Sequence, residues 1–144
     1  AVYMSGIVHD IGKIGIERTV LCKTGRLTGE EWEAIRSHPE QGAGIINCIP
    51  QLRHLVGGVR YHHERGDGSG YPFGLRQEEI PLASRIIAVC DSYDAMTSER
   101  SYRPALSPDV AVAELRSCMD TKLSAPVVEA FVETLSDEVK AMAG

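Results

Sequence analysis

The stretch Val2-Tyr3-Met4-Ser5-Gly6-Ile7-Val8-His9-Asp10-Ile11-Gly12-Lys13, residues 2 to 13, decides the fold. Val2, Met4, Ile7, Val8 and Ile11 recur at helical spacing, and Gly12 and Gly15 stop the pattern. The spacing predicts one helix carrying His9 and Asp10 at its C-terminal end. An imidazole and a carboxylate at a helix end gain meaning from similar groups further on: His38, His62-His63 and Asp91, spread over about eighty residues. The three histidine groups lack the i, i+4 spacing of a one-helix zinc site, so only a tertiary fold can bring them together. Converged, they would hold two divalent metals, and Asp10 could bridge them because a carboxylate has two oxygens to offer.

Outward from that stretch, every element reads as helix. Thr28-Gly29-Glu30-Glu31 is a capping box, so a second helix starts there and should carry Trp32 and Ile35 inward. Pro39 suits the first turn of a new helix over 39 to 48, which leaves His38 at a joint. Pro50 opens a helix through Leu52, Leu55, Val56 and Val59 to His62. Residues 66 to 74, Gly-Asp-Gly-Ser-Gly-Tyr-Pro-Phe-Gly, form a loop, and Pro81 begins an apolar helix from Leu82 to Met96 that carries Asp91. Ser107-Pro108 and Ser124-Ala125-Pro126 start two last helices. No alternating strand pattern, internal repeat or linker is present, so the class is all-α and the 144 residues form a single domain.

Composition sets limits on function. The 43% hydrophobic content suits a globular domain, and a net charge of -5 argues against a broad nucleic-acid surface, which needs a basic face. A phosphate substrate must then be held locally, by metals and a few cations. Cysteines at 22, 48, 90 and 118 contain no C-x-x-C pair, which indicates neither a disulfide framework nor a thiolate zinc site and fits a reducing, cytoplasmic setting. No run of apolar residues is long enough for a membrane segment.

Each candidate residue also has a plainer reading. His38 before a proline, taken alone, is a helix-end hydrogen-bonding residue, and His62-His63-Glu64 and His54 read as solvated helix ends. Lys13, Arg100 and Arg103 read as solubilising cations. Asp91 is harder to dismiss, because Ile86, Ile87, Ala88 and Val89 imply burial and a buried carboxylate is costly unless paired or metal-bound. The mixture of imidazole and carboxylate suits iron, manganese or zinc, and not calcium. The glycine-rich loop lacks the lysine-serine ending of a nucleotide-triphosphate loop. It also fails as a calcium loop, because Tyr71 sits at a ligand position and Pro72 replaces the required glycine.

At these residues the chain resembles the HD-GYP phosphodiesterases, a branch of the HD-domain metal-dependent phosphohydrolases. The resemblance runs through His9-Asp10-Ile11-Gly12-Lys13, Leu27-Thr28 with Glu31, His38-Pro39, His62-His63-Glu64 and Asp67-Gly68-Ser69-Gly70-Tyr71-Pro72. It continues through Arg85-Ile86, Asp91, Asp94-Ala95-Met96-Thr97 and Arg100-Ser101-Tyr102-Arg103, covering residues 1 to 107. It implies an HD-domain helical bundle with a metal site at its centre, and a bacterial signal-transduction enzyme that hydrolyses cyclic di-GMP to pGpG, or on to GMP, by a metal-bridged hydroxide. By resemblance, one metal is held by His9, Asp10 and Asp91 and another by Asp10, His38, His62 and His63, with Asp94 reaching a third metal in some members. Iron or manganese is the expected metal, with zinc as an alternative. Lys13 resembles a lysine near the scissile phosphate, Tyr71 of Gly70-Tyr71-Pro72 resembles a tyrosine beside the nucleotide, and Arg100 and Arg103 match phosphate-contacting positions.

The resemblance further implies an upstream sensor or receiver domain as partner. Relatives supply another histidine from an upstream helix, so the chain reads as N-terminally incomplete, with its first metal short of one ligand. An uncovered apolar face over residues 1 to 11 would favour association into a homo-oligomer. Two alternatives stand beside hydrolysis of cyclic di-GMP: an inactive or incomplete domain that acts as a binding or regulatory module, and a phosphohydrolase with another nucleotide substrate.

Overall fold

A computed structural model describes residues 1–99 and 104–142, with side chains as far as residue 137. The helices are α1 (Val2–Val8), α2 (Arg18–Leu21), α3 (Gly29–Arg36), α4 (His38–Asn47), α5 (Val56–Arg60), α6 (Leu82–Thr97), α7 (Pro108–Ser117) and α8 (Ala125–Met142). Two 3-10 segments, Ile11–Gly15 and Pro50–Leu55, lead into α2 and α5. The described residues contain no strand, only isolated bridges pairing Asp67 with Arg76 and Met119 with Leu123. The all-α class expected from the sequence is what the chain adopts. No helix of the described residues is long and apolar enough to cross a membrane.

Local chemistry accounts for most boundaries. The capping box at α3 is complete, with Glu31 N donating to Thr28 Oγ1 and Thr28 N donating to the Glu31 carboxylate. Pro39 lies in the first turn of α4, where its missing N–H costs nothing. The single helix expected from Pro50 to His62 is instead a 3-10 turn followed by a short α5 that ends at Arg60. Gly57 and Gly58 lie inside α5, where Gly58 lets the helix pack closely on α1, since a Cβ there would come within 2.7 Å of Ser5 Cβ. His62 and His63 lie in the turn after α5. Helix α2 was not expected.

Two apolar clusters flank the middle of the molecule. Ile46, Leu55 and Val59 pack with Val8, Leu52 and Val56, which ties α1, α4 and α5 together. Val89, Leu115, Leu123 and Val128 pack with Met96, Phe131 and Val132, which ties α6 to α7 and α8. Each such fully buried side chain contributes about 1.5–3 kcal/mol of transfer free energy. Ser84 Oγ donates to the Gly57 carbonyl at 2.8 Å and joins α6 to α5 between the clusters. On α1 and the turn beyond it, Tyr3, Met4, Ile7 and Ile14 are exposed. Trp32, expected inside, is 52% exposed, because α3 packs through Ala34 and Ile35 and turns Trp32 toward the glycine-rich loop.

Candidate metal centre

The end of α1, the start of α4 and the turn after α5 meet at one point, and each delivers a candidate residue. Gly12 makes the meeting of the first two possible. A Cβ there would collide with the His38 carbonyl oxygen and lie 2.6 Å from Gly42 N, so only glycine lets the 3-10 turn lie against α4. Asp10, His38, His62 and His63 can each present one ligand atom, and those atoms all lie within 4.8 Å of one another. His38 and His62 are almost fully buried, at 1% and 2% exposure.

Three imidazoles are oriented by the same device. His9 Nδ1 lies 2.6 Å from the Gly6 carbonyl, His38 Nδ1 2.7 Å from that of Ile35, and His62 Nδ1 2.6 Å from that of Val59, each three residues back. A carbonyl only accepts, so Nδ1 carries the proton and Nε2 of the neutral ring presents an electron pair. His38 Nε2 then faces His62 Nε2 at 3.2 Å and Asp10 Oδ1 at 3.2 Å. Asp10 Oδ1 is buried and receives no hydrogen bond. For His38 Nε2 to donate to it, the ring would need the other tautomer and would lose its bond to Ile35. Three electron pairs converging on one point, with both imidazoles tied to backbone carbonyls, fit a divalent cation of the borderline kind that takes nitrogen and oxygen together.

The charges agree with that fit. Half-burial opposes ionisation of Asp10, but the Lys13 ammonium, which donates to Oδ2, outweighs it and holds the carboxyl below the usual carboxylate range. Burial pushes the His62 imidazole down to about 4, and burial together with the neighbouring His62 and His38 rings pushes His63 down to about 2. Both rings are therefore neutral at pH 7, the state in which imidazole ligates.

The other oxygen of Asp10 looks elsewhere. Asp10 Oδ2 accepts from Lys13 Nζ at 2.5 Å and lies 3.5 Å from His9 Nε2. His9 Nε2 is also 3.8 Å from Asp91 Oδ1. Asp91 is less buried than its apolar neighbours on α6 implied, with its side chain 35% exposed. Asp94, one turn further along α6, is exposed, accepts from Ser98 Oγ at 3.2 Å, and lines a groove shared with His9 and Asp91. His54 is exposed, as its plainer reading had it. Arg100 and Arg103 lie outside the described residues.

A cavity of about 460 Å³ opens beside the cluster, lined among others by His62, His63, Asp91, Tyr71 and Trp32. Tyr71 closes one side, its ring centroid 4.8 Å from that of His63, and burial raises its hydroxyl to about 12. The loop that carries it is pinned by Glu64, which the sequence placed at a solvated helix end. Glu64 is 3% exposed, and its carboxylate accepts from Phe73 N at 2.7 Å and Leu75 N at 2.9 Å. Gly70 lies so close to the Glu64–Arg65 backbone that a Cβ would strike Arg65 N, so its glycine serves close approach. The Tyr71–Pro72 bond is cis. Trp32 and Arg65 line this cavity, Arg36 joins them in an adjoining one, and none of the three was among the expected site residues.

Comparison with known proteins bears on this arrangement. The HD domain family matches residues 1–125. The chain is 44% identical over 113 residues to the cyclic di-GMP phosphodiesterase PA4108 of Pseudomonas aeruginosa, covering 78% of this chain and 27% of that protein. It is 44% identical over 128 residues to a cyclic di-GMP phosphodiesterase of Thermotoga maritima, covering 88% of this chain and 35% of that protein. A 3'3'-cGAMP-specific phosphodiesterase of Vibrio cholerae is 34% identical over 132 residues, covering 92% of this chain and 29% of that protein. The chain thus spans about a third of the length of these relatives. In three dimensions it is similar to the crystal structure of a cyclic GMP-AMP specific phosphodiesterase of Vibrio cholerae, with a TM-score of 0.68 at 19% identity over 94% of this chain and 37% of that one. The chain belongs to the HD-domain family.

Proposed function

We propose that the chain is the catalytic domain of a phosphodiesterase that hydrolyses cyclic di-GMP to linear pGpG, and on to GMP if the linear product re-enters the site. The convergence of Asp10, His38, His62 and His63 within 4.8 Å, beside a cavity lined by Tyr71, is the observation that carries this reading. The names of the relatives support the substrate class. In this reading Asp10, His38, His62 and His63 hold one divalent ion, iron or manganese by donor type, and His9, Asp10 and Asp91 hold another. Asp94 lies near enough on α6 to serve a third. Once bound, such ions supply positive charge for the phosphate oxygens and a water acidic enough to attack at neutral pH.

The protein's own groups do the remaining work. Asp10 directs Oδ1 to the buried cluster and Oδ2 toward His9, which suits a bridging carboxylate. Lys13 Nζ, placed at Asp10, stabilises charge on the phosphate and gives its proton to the departing ribose oxygen. Tyr71, set against His63 and held through the Glu64-pinned loop, positions the nucleotide, with Gly70 and Pro72 shaping the approach. Arg100 and Arg103 bind non-reacting phosphates. The wider protein carries a sensor or receiver domain ahead of this one, and one relative of the chain is itself a response regulator.

The test is incubation of the chain with cyclic di-GMP after chelation and after reconstitution with manganese or iron, with products separated by chromatography. Linear pGpG formed only by the reconstituted protein is expected, and no hydrolysis with any of these metals overturns the reading. The relatives named for 3'3'-cGAMP favour a second substrate, so that dinucleotide belongs in the same assay.

A further inference from the structure

Beside the metal centre lies a second cavity of about 390 Å³, lined by Trp32, Arg36, Arg65, Ser69 and Tyr71. Trp32 and Tyr71 also line the cavity that reaches His62, His63 and Asp91, so the two spaces share a wall. Each falls in the range of about 300–1,000 Å³ typical of small-molecule sites. The wall is aromatic and cationic together. Trp32 and Arg36 stand at i and i+4 of α3 and share a face of that helix. The Arg36 guanidinium lies over the Tyr71 ring, 5.0 Å from its centroid.

Two features make this more than a stray exposed tryptophan. First, α3 is fixed at its base, by the capping box at Thr28 and by Lys23, whose Nζ reaches the Glu31 carboxylate at 2.6 Å. Trp32 is therefore presented by an anchored helix while half its surface stays open to solvent, an exposure of apolar area that folding opposes. Second, the charges at the mouth are left open. Lys23, Arg60 and Arg116 each pair with a carboxylate, whereas neither Arg36 nor Arg65 has a carboxylate ion-pair partner among the described residues. Guanidinium groups only donate, and their planar fork matches two acceptors on one edge of a planar ring.

Resting on the phosphodiesterase reading above, we infer that Trp32, Arg36 and Arg65 form a guanine subsite, in which the indole of Trp32 stacks on one base of the dinucleotide while the arginines donate to that base's O6 and N7. Guanine offers two acceptors on that edge, whereas adenine replaces one with an amino donor. A base with its face on Trp32 and its edge toward Arg36 and Arg65 lies in the outer cavity, and its ribose-phosphate enters the shared cavity past Tyr71.

Trp32 is the single tryptophan of the chain, so its emission reports on this place alone. GMP, AMP and ribose 5-phosphate have no internucleotide bond to cleave and can be titrated against the protein without turnover. Saturable quenching of emission is expected with GMP, at an affinity at least about fivefold above AMP, and none with ribose 5-phosphate. Arg65→Ala should remove the preference for GMP over AMP. In cyclic di-GMP hydrolysis Trp32→Ala should raise KM at least about fivefold, with kcat changed less, and Trp32→Phe should recover most of the loss. Equal quenching by GMP and AMP, or quenching by ribose 5-phosphate, overturns the guanine subsite. So does hydrolysis of cyclic di-GMP with unaltered emission and an unaltered KM in Trp32→Ala. Quenching by GMP in a protein that hydrolyses no dinucleotide would leave the subsite standing and remove the phosphodiesterase reading.

Discussion

The two oxygens of Asp10 face unlike surroundings. Oδ1 points to an enclosed place, where His38 and His62 are buried and tied to backbone carbonyls. Oδ2 points to an open one, where His9 meets a one-third exposed Asp91 at 3.8 Å and an apolar groove runs past Tyr3 and Ile7. The enclosed side has four donors fixed by the fold, while the open side has three, one of them shared. Donors held in place before an ion arrives cost little ordering on binding, so the proposed sites should differ in affinity as well as in role.

Asp10→Ala would break the comparison most severely, because it removes the group common to both sides. Activity on cyclic di-GMP should fall by about 10⁴-fold or more, since both metals and the contributions that depend on them are undercut. Elemental analysis should show metal lost from both sides, and full occupancy would remove the bridging role. Lys13→Ala acts on the Oδ2 side without removing a ligand, so metal content should hold while kcat falls about 100-fold. A change in KM with kcat intact would make Lys13 a binding group instead.

Paired single substitutions sharpen the contrast between sides. His62→Ala should weaken the tighter ion, by at least about 10- to 100-fold in affinity, whereas His9→Ala should leave that ion and weaken the second. Indistinguishable metal titrations of the two variants would mean that the sides are not separate sites.

The smallest effect expected is in pH dependence. With metal chelated, His62 titrates near 4 and His63 near 2 in the folded chain, against about 6.5 when unfolded. The unfolded state then binds more protons below 6.5, so this stability is complete above that pH and is lost as pH falls from 6.5 through 4 and below. Urea midpoints should decline across that window, and His63→Gln should flatten the decline. A flat wild-type profile would show that burial does not govern these rings.

How much of this could be read in the sequence depended on how local the signal was. His38-Pro39, the Thr28 capping box and the Pro81 start of α6 are set by chemistry within a few residues; α3 and α6 begin where those residues place them, and α4 begins one residue early, at His38. The candidate ligands were recognisable because imidazoles and carboxylates in apolar stretches need partners. Trp32 was misplaced for the opposite reason. Its apolar character says that it seeks a neighbour, but that neighbour is a loop some forty residues away, and helical periodicity carries no such distance. Glu64 was missed similarly, since its inward turn is set by the unpaired N–H groups of Phe73 and Leu75.

The carbonyl bonds three residues behind His38 and His62 bear on the heat of metal loading. Rings held with the proton on Nδ1, and a carboxylate already ionised, have no proton to surrender when an ion arrives at their free electron pairs. Loading of the enclosed side at neutral pH should therefore draw no proton from these ligands, leaving ionisation of the ion-bound water as the source of any release. Calorimetric enthalpies measured in buffers of different ionisation heat should then give a slope of at most about one proton per ion, and a clearly larger slope would show that the ligands themselves give up protons to bind.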